Sequence, residues 1–202
     1  MKTGRSKIIV EVQRLATAPA IDVRQYERVV IDEIVESADR LPEGVRLSPR
    51  RREVGFIVHA WLRPNDPVHV PEINGVLRAY AVNPCVQADA AERGIKLIVA
   101  FNGRPELSTE AFSQHWREIH GPLAKRHHRA LRRYVQNHDV VALLPSAVPV
   151  MGLAELWFDS VDAFVNDFYG TSHDAAAIAA DSARFVDRPI EPFLVSTSHD
   201  VS

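Results

Sequence analysis

IKLIVAFNGRPELSTEAFSQHWREIHGPLAKRHHRALRRYVQNH, residues 95–138, is the stretch whose reading decides the fold. Ile95, Leu97, Val99 and Phe101 alternate with other residues, the period of a strand, and Asn102 to Pro105 break the run. Ser108 or Thr109 can cap the helix that follows, and Glu110 suits its positive end. Phe112, Trp116, Ile119 and Leu123 recur at helical spacing, so one face is apolar. His115 and His120 flank that stripe, where side chains can reach a cleft. Pro122 is expected to end or kink the helix. After a basic segment with His127 and His128, Tyr134-Val135-Gln136 reads as the next strand.

Outward from this stretch, strands are expected at 131–141, 151–158 and 193–199, a short helix from Asp159 or Ser160, and a helix over 173–185. Strand–helix–strand–strand–helix–strand is the ferredoxin-like βαββαβ order. Phe112, His115-Trp116, His120-Gly121-Pro122-Leu123, Arg133 to Asn137, and Gly152 with Glu155 to Asp159 together resemble the EthD family of dimeric α+β-barrel proteins.

The first half repeats the order in weakened form. Lys7-Ile8-Ile9-Val10 lines up with Lys96-Leu97-Ile98-Val99, and His59-Ala60-Trp61-Leu62 with Glu155-Leu156-Trp157-Phe158. A helix is expected from Asp22, with Val23, Tyr26, Val30, Ile34 and Ala38 on one face. Tyr26, Val30 and Glu33 would then take the places of Phe112, Trp116 and Ile119. Residues 45–52 could form an exposed strand, 56–62 and 76–87 are strands, and the prolines between them make a loop. The expected fold class is therefore α+β, two tandem ferredoxin-like halves (1–90 and 91–202) that close an intrachain barrel, joined near residues 88–94.

Composition narrows the function. With 24 basic and 26 acidic residues, the net charge of −2 marks neither nucleic acid nor a membrane surface as partner. One cysteine, Cys85, leaves no internal disulfide and no thiolate metal site, which fits a reducing cytoplasm. No stretch approaches a membrane span. His115 and His120 lie five apart rather than the four of a helical metal pair, and no metal or cofactor is expected. A homodimer stays open.

Strand parity sorts residues between barrel lumen and helix side. Leu153, Glu155 and Trp157 are expected in the lumen, with Ile57, His59 and Trp61 from the first half. If Val135 takes the helix side, Tyr134, Gln136 and His138 also enter the lumen, with Glu155 ion-paired to Arg132 or Arg133 and His120 at the lumen wall. His127 and His128 are read as surface residues. The lumen would hold a small apolar or aromatic metabolite, with Trp116, Trp157, Trp61, His59, Gln136 and His138 as binding residues.

The resemblance implies cofactor-independent acid/base chemistry (dehydration, cyclisation, isomerisation or decarboxylation) on a small carbonyl or polyketide-like compound. In that reading His120 is the general base, His115 or Tyr134 orients or polarises, and Glu155 shuttles a proton. A non-catalytic carrier of an apolar metabolite and a small cofactor-free oxygenase are the alternatives.

Overall fold

The computed structural model describes residues 6–35, 41–42 and 44–201. Eight strands form: β1 (Lys7–Gln13), β2 (Arg28–Ile34), β3 (Val54–Trp61), β4 (Val76–Ala88), β5 (Ile95–Gly103), β6 (Arg133–Ala142), β7 (Gly152–Phe158) and β8 (Val186–Asp200). They close one antiparallel barrel in the order β1-β3-β2-β8-β5-β7-β6-β4. Each half runs fourth, first, third, second, and the halves join where β2 pairs with β8 and β4 with β6.

Among the described residues, α-helices occur only in the second half: α1 (Thr109–His115), α2 (Gly121–His127), α3 (Val161–Asp167) and α4 (Ser172–Phe185). Ser108, Ser160 and Thr171 cap α1, α3 and α4 by accepting from backbone N–H groups. A π-helical turn, Trp116–His120, joins α1 to α2. Pro122 therefore does not end the helix; it follows a wide turn that absorbs the disturbance.

The helix expected from Asp22 does not form. Asp22 caps only a 3₁₀ turn, Val23–Gln25, and residues 28–34 are β2; Ala38 lies outside the described residues. Val29, Val30 and Ile31 are consecutive β-branched residues, which favour a strand. Both faces of β2 are buried, one in the lumen and one under loops, so the alternation that would announce a strand is missing. With that helix goes the matching of Tyr26, Val30 and Glu33 to α1. The exposed strand expected at 45–52 is likewise replaced by irregular chain and a 3₁₀ turn, Pro49–Arg52, with Pro49 at its start.

The strand matching appears in register. Lys7 faces Trp61 and Ile9 faces His59 across β1/β3; Lys96 faces Trp157 and Ile98 faces Glu155 across β5/β7. Arg28 faces Trp61, and Arg133 faces Trp157. The apolar core has three parts. Ile9, Ile57, Tyr80, Ile98, Leu153 and Phe193 fill the lumen. Phe101, Phe112, Trp116 and Phe158 lie under the helices of the second half. Ile8, Val10, Tyr26 and Val58 lie under loops on the first. No helix among the described residues is long and apolar enough to cross a membrane.

Candidate functional site between helices and sheet

The π turn determines the site. In an α-helix, five residues turn the chain by about 500°, leaving side chains five apart roughly 140° out of line. An i→i+5 turn brings them towards one face. His115 and His120 therefore both reach Asp181 of α4: His115 Nε2 lies 3.0 Å from Oδ1 and His120 Nδ1 2.9 Å from Oδ2. Burial alone would raise the Asp181 carboxyl, but the hydrogen bonds from His120 and His115 outweigh it and hold the pKa below the usual carboxylate value. With Nδ1 of His120 donating to this carboxylate, Nε2 is the nitrogen that carries the lone pair.

His120 forms part of the wall of a cavity of about 1000 Å³ between the helices and the outer face of the second-half sheet. Leu97, Val99 and Phe101 of β5, with Ala154 and Leu156 of β7, make its floor. Across from them α4 presents small residues (Ser172, Ala175, Ala176, Ala179, Ser182, Ala183), and their size leaves the space. Helix and sheet approach closely beside it. A Cβ on Gly121 would stand 2.7 Å from Gln87 Oε1, and one on Gly152 2.8 Å from the Trp116 ring.

Tyr134 also lines the cavity. Its hydroxyl oxygen accepts from Trp116 Nε1 at 2.8 Å and from Gln136 Nε2 at 3.2 Å. Both lone pairs are occupied, so its own O–H is a donor. Burial raises the phenol pKa further above its ordinary value, keeping that proton in place. Gln136 is held in turn: Nε2 donates to the Trp116 carbonyl at 2.8 Å, and Oε1 accepts from Gln87. His128, at the end of α2, is another wall residue, and burial lowers its pKa to about 4.

The lumen is different. Lys7, Asp32, His59, Lys96 and Glu155 are all buried there. Lys7 Nζ donates to Glu155 Oε1 at 2.5 Å, and Lys96 Nζ to Glu155 Oε2 at 3.2 Å. Lys96 also meets Asp32, whose Oδ2 lies 2.8 Å from His59 Nε2. Desolvation pushes Glu155 up, yet Lys7 and Lys96 together hold it well below the ordinary carboxylate value. Burial, reinforced by Lys96 and Lys7, lowers His59 to about 4 and keeps it neutral. Two lysines balance two carboxylates. Lys7 stands over Trp61 and Lys96 over Trp157, each 4.6–4.7 Å from a ring centre.

The residues singled out from the sequence thus fall into two groups. His115, His120, Tyr134, Trp116, Gln136 and His138 lie on the helix side; Glu155, Trp157, His59 and Trp61 lie in the lumen. Placing Tyr134, Gln136 and His138 in the lumen is incorrect by one residue of parity. Val135 faces Glu155 across β6/β7 and is the lumen residue, whereas Tyr134 faces Leu156 on the helix side. His138 packs on Trp116, ring centres 4.6 Å apart. His120 is correspondingly at the wall of the helix–sheet cavity and not of the lumen, and Glu155 pairs with Lys7 and Lys96 rather than Arg132 or Arg133. Arg132 meets Asp159 outside, whereas Arg133 lies over Trp157 at the end of the lumen and pairs with Asp89 and Glu92.

Two residues escaped the sequence reading. His128 is buried instead of being a surface residue, because the last turn of α2 packs it on Phe168 and Tyr169. Asp181 lies in an alanine-rich helix, and its signal was its own oddity: a carboxylate among residues that otherwise bury.

No curated protein matches the chain. One family model matches and leaves the first half outside it. It covers residues 104–189, the segment that carries His115, His120, Tyr134 and Asp181, and this segment is recognised as an EthD domain.

Proposed function

We propose that the chain binds a small, mostly apolar carbonyl or aromatic compound in the helix–sheet cavity and moves a proton on it. The observation that carries this reading is His120 at the wall of a largely apolar space that Tyr134 also lines, with the His115–Asp181–His120 bridge holding the His120 ring from behind. His120 Nε2 is the base that removes a proton next to a carbonyl. Tyr134 donates its O–H to the carbonyl oxygen as that oxygen gains charge. Asp181 holds the His120 ring in the tautomer whose lone pair is on Nε2 and stabilises the imidazolium once it forms. His115 steadies the carboxylate from its other oxygen. The buried lysine–carboxylate network of the lumen has no part in this step, so Glu155 supports the barrel and is not the shuttle.

The in-register lumen residues also support a tandem origin, with the join near 88–94 and the first half keeping its sheet while its described residues form no α-helix.

The test needs no knowledge of the natural substrate. Exchange of the α-protons of 2-tetralone into D₂O, followed by proton NMR, is expected to be accelerated by the wild type. His120→Ala should lower that rate by roughly 10²–10⁴-fold, the usual worth of a positioned base. Equal rates in the two proteins, with 2-tetralone still bound, would leave a carrier of apolar compounds as the function.

A further inference from the structure

The cavity is closed by a piece of the other half. Between β2 and β3, Val35, Leu41, Val45 and Leu47 pack against the helix-side core of the second half. The segment is tied to β8 at both ends: Val35 N–H donates to the Leu194 carbonyl at 2.9 Å, and Ser48 N–H to the Pro192 carbonyl at 2.8 Å. Gly44, Val45 and Arg46 thereby become part of the cavity wall.

Arg46 stands out within this wall. Its neighbours Val45 and Leu47 are half-buried anchors, while its own side chain is exposed at the cavity rim. Arg50, four residues on, has its guanidinium against Glu11. Arg46 makes no ion pair or hydrogen bond among the described residues. Asp181 stands behind His120, does not line the cavity, and is already held by two histidines. Among the described residues that line the cavity, Arg46 is the one Asp, Glu, Lys or Arg. A guanidinium presents paired N–H donors that match a carboxylate.

Resting on the proposed reading of the cavity, we infer that its substrate carries an anionic group, a carboxylate on an aromatic or polycyclic body, and that Arg46 is the residue that selects for it. The apolar body fills the space between β5, β7 and α4, and the carboxylate lies at the rim against Arg46. This arrangement orients the reacting end towards His120 and Tyr134, and it makes the first half necessary to a site built otherwise by the second.

The two probes that separate this from simple apolar binding are 2-naphthoate and 2-naphthol, measured by calorimetry at low salt. Wild type should bind 2-naphthoate more tightly. Arg46→Ala should weaken 2-naphthoate about three- to tenfold, the range for a partly exposed charge pair, and leave 2-naphthol within twofold. Arg46→Lys should recover part of the loss, and added salt should weaken 2-naphthoate alone. Equal losses for both probes, unchanged 2-naphthoate affinity in Arg46→Ala, or no binding of either by the wild type would overturn the inference. Failure of the base reading shows elsewhere, as unaltered proton exchange in His120→Ala.

Discussion

The two halves of the barrel agree where they face each other and differ where they face out. Inside, Lys7 and Lys96, Arg28 and Arg133, Trp61 and Trp157 occupy equivalent places in equivalent registers. Departures from that symmetry are His59 against Glu155 and Asp32 against Asn137, and they supply the charges that balance the two lysines. Outside, the first half covers its sheet with loops, whereas the second covers its own with helices that stand off far enough to leave a cavity. Agreement inside reflects a shared task, joining the sheets. Divergence outside is where a specific activity can lie.

The largest effect that would sharpen this contrast is a divorce of stability from activity. Glu155→Gln leaves Lys7 and Lys96 without their common partner, and losing one member of a buried ion pair costs roughly 3–5 kcal/mol. Urea denaturation should show that loss, while 2-tetralone exchange per folded molecule stays near the wild-type rate. His120→Ala should do the opposite. A Glu155→Gln protein with full stability but no exchange activity would break the division between lumen and cavity.

Acid should act on both halves. His59 and His128 each have a folded pKa near 4 against about 6.5 when unfolded. A histidine depressed in this way binds fewer protons folded than unfolded between those values. Stability therefore rises with pH through that window and is lost as pH falls from about 6.5 towards 4. For His128, which lies apart from the lumen charges, the difference is worth about 3 kcal/mol at the acid end. Denaturant midpoints at pH 7 and 4.5 should show it, and His128→Gln should remove its share of the slope.

Smaller effects belong to the second half alone. Tyr134→Phe leaves the Trp116 and Gln136 N–H groups without their acceptor and should cost about 1–3 kcal/mol, besides slowing 2-tetralone exchange. Ala179→Leu places a larger side chain on the open face of α4. Because it enters empty space, stability should change by less than about 1 kcal/mol, while 2-naphthol binding falls clearly. Unchanged binding would mean that the cavity is not where apolar compounds lodge.

Much of the second half was legible because its elements carry local punctuation. Ser108 and Ser160 cap, Asn102 to Pro105 break, and Phe112 and Trp116 of the expected stripe are buried, although the π turn leaves Ile119 exposed. β2 was not legible, since a strand buried on both faces loses its alternation and its spacings of three and four imitate a helix. Parity in β7 could be read from Ala154, Leu156 and Phe158, all apolar on one side. In β6, Tyr134, Val135 and Gln136 offer no such contrast, and the choice of Val135 for the helix side inverted the strand. The histidines at 115 and 120 could be picked out, but their common partner depends on a π turn and on a helix about sixty residues away.

The account is tested most directly by histidine side-chain NMR during titration with 2-naphthol. Resonances of His120 and His128, which line the cavity, should move with occupancy, and that of His59, enclosed in the lumen, should stay within line width. Movement of His59 with His120 and His128 unchanged would place the ligand in the lumen and contradict the account.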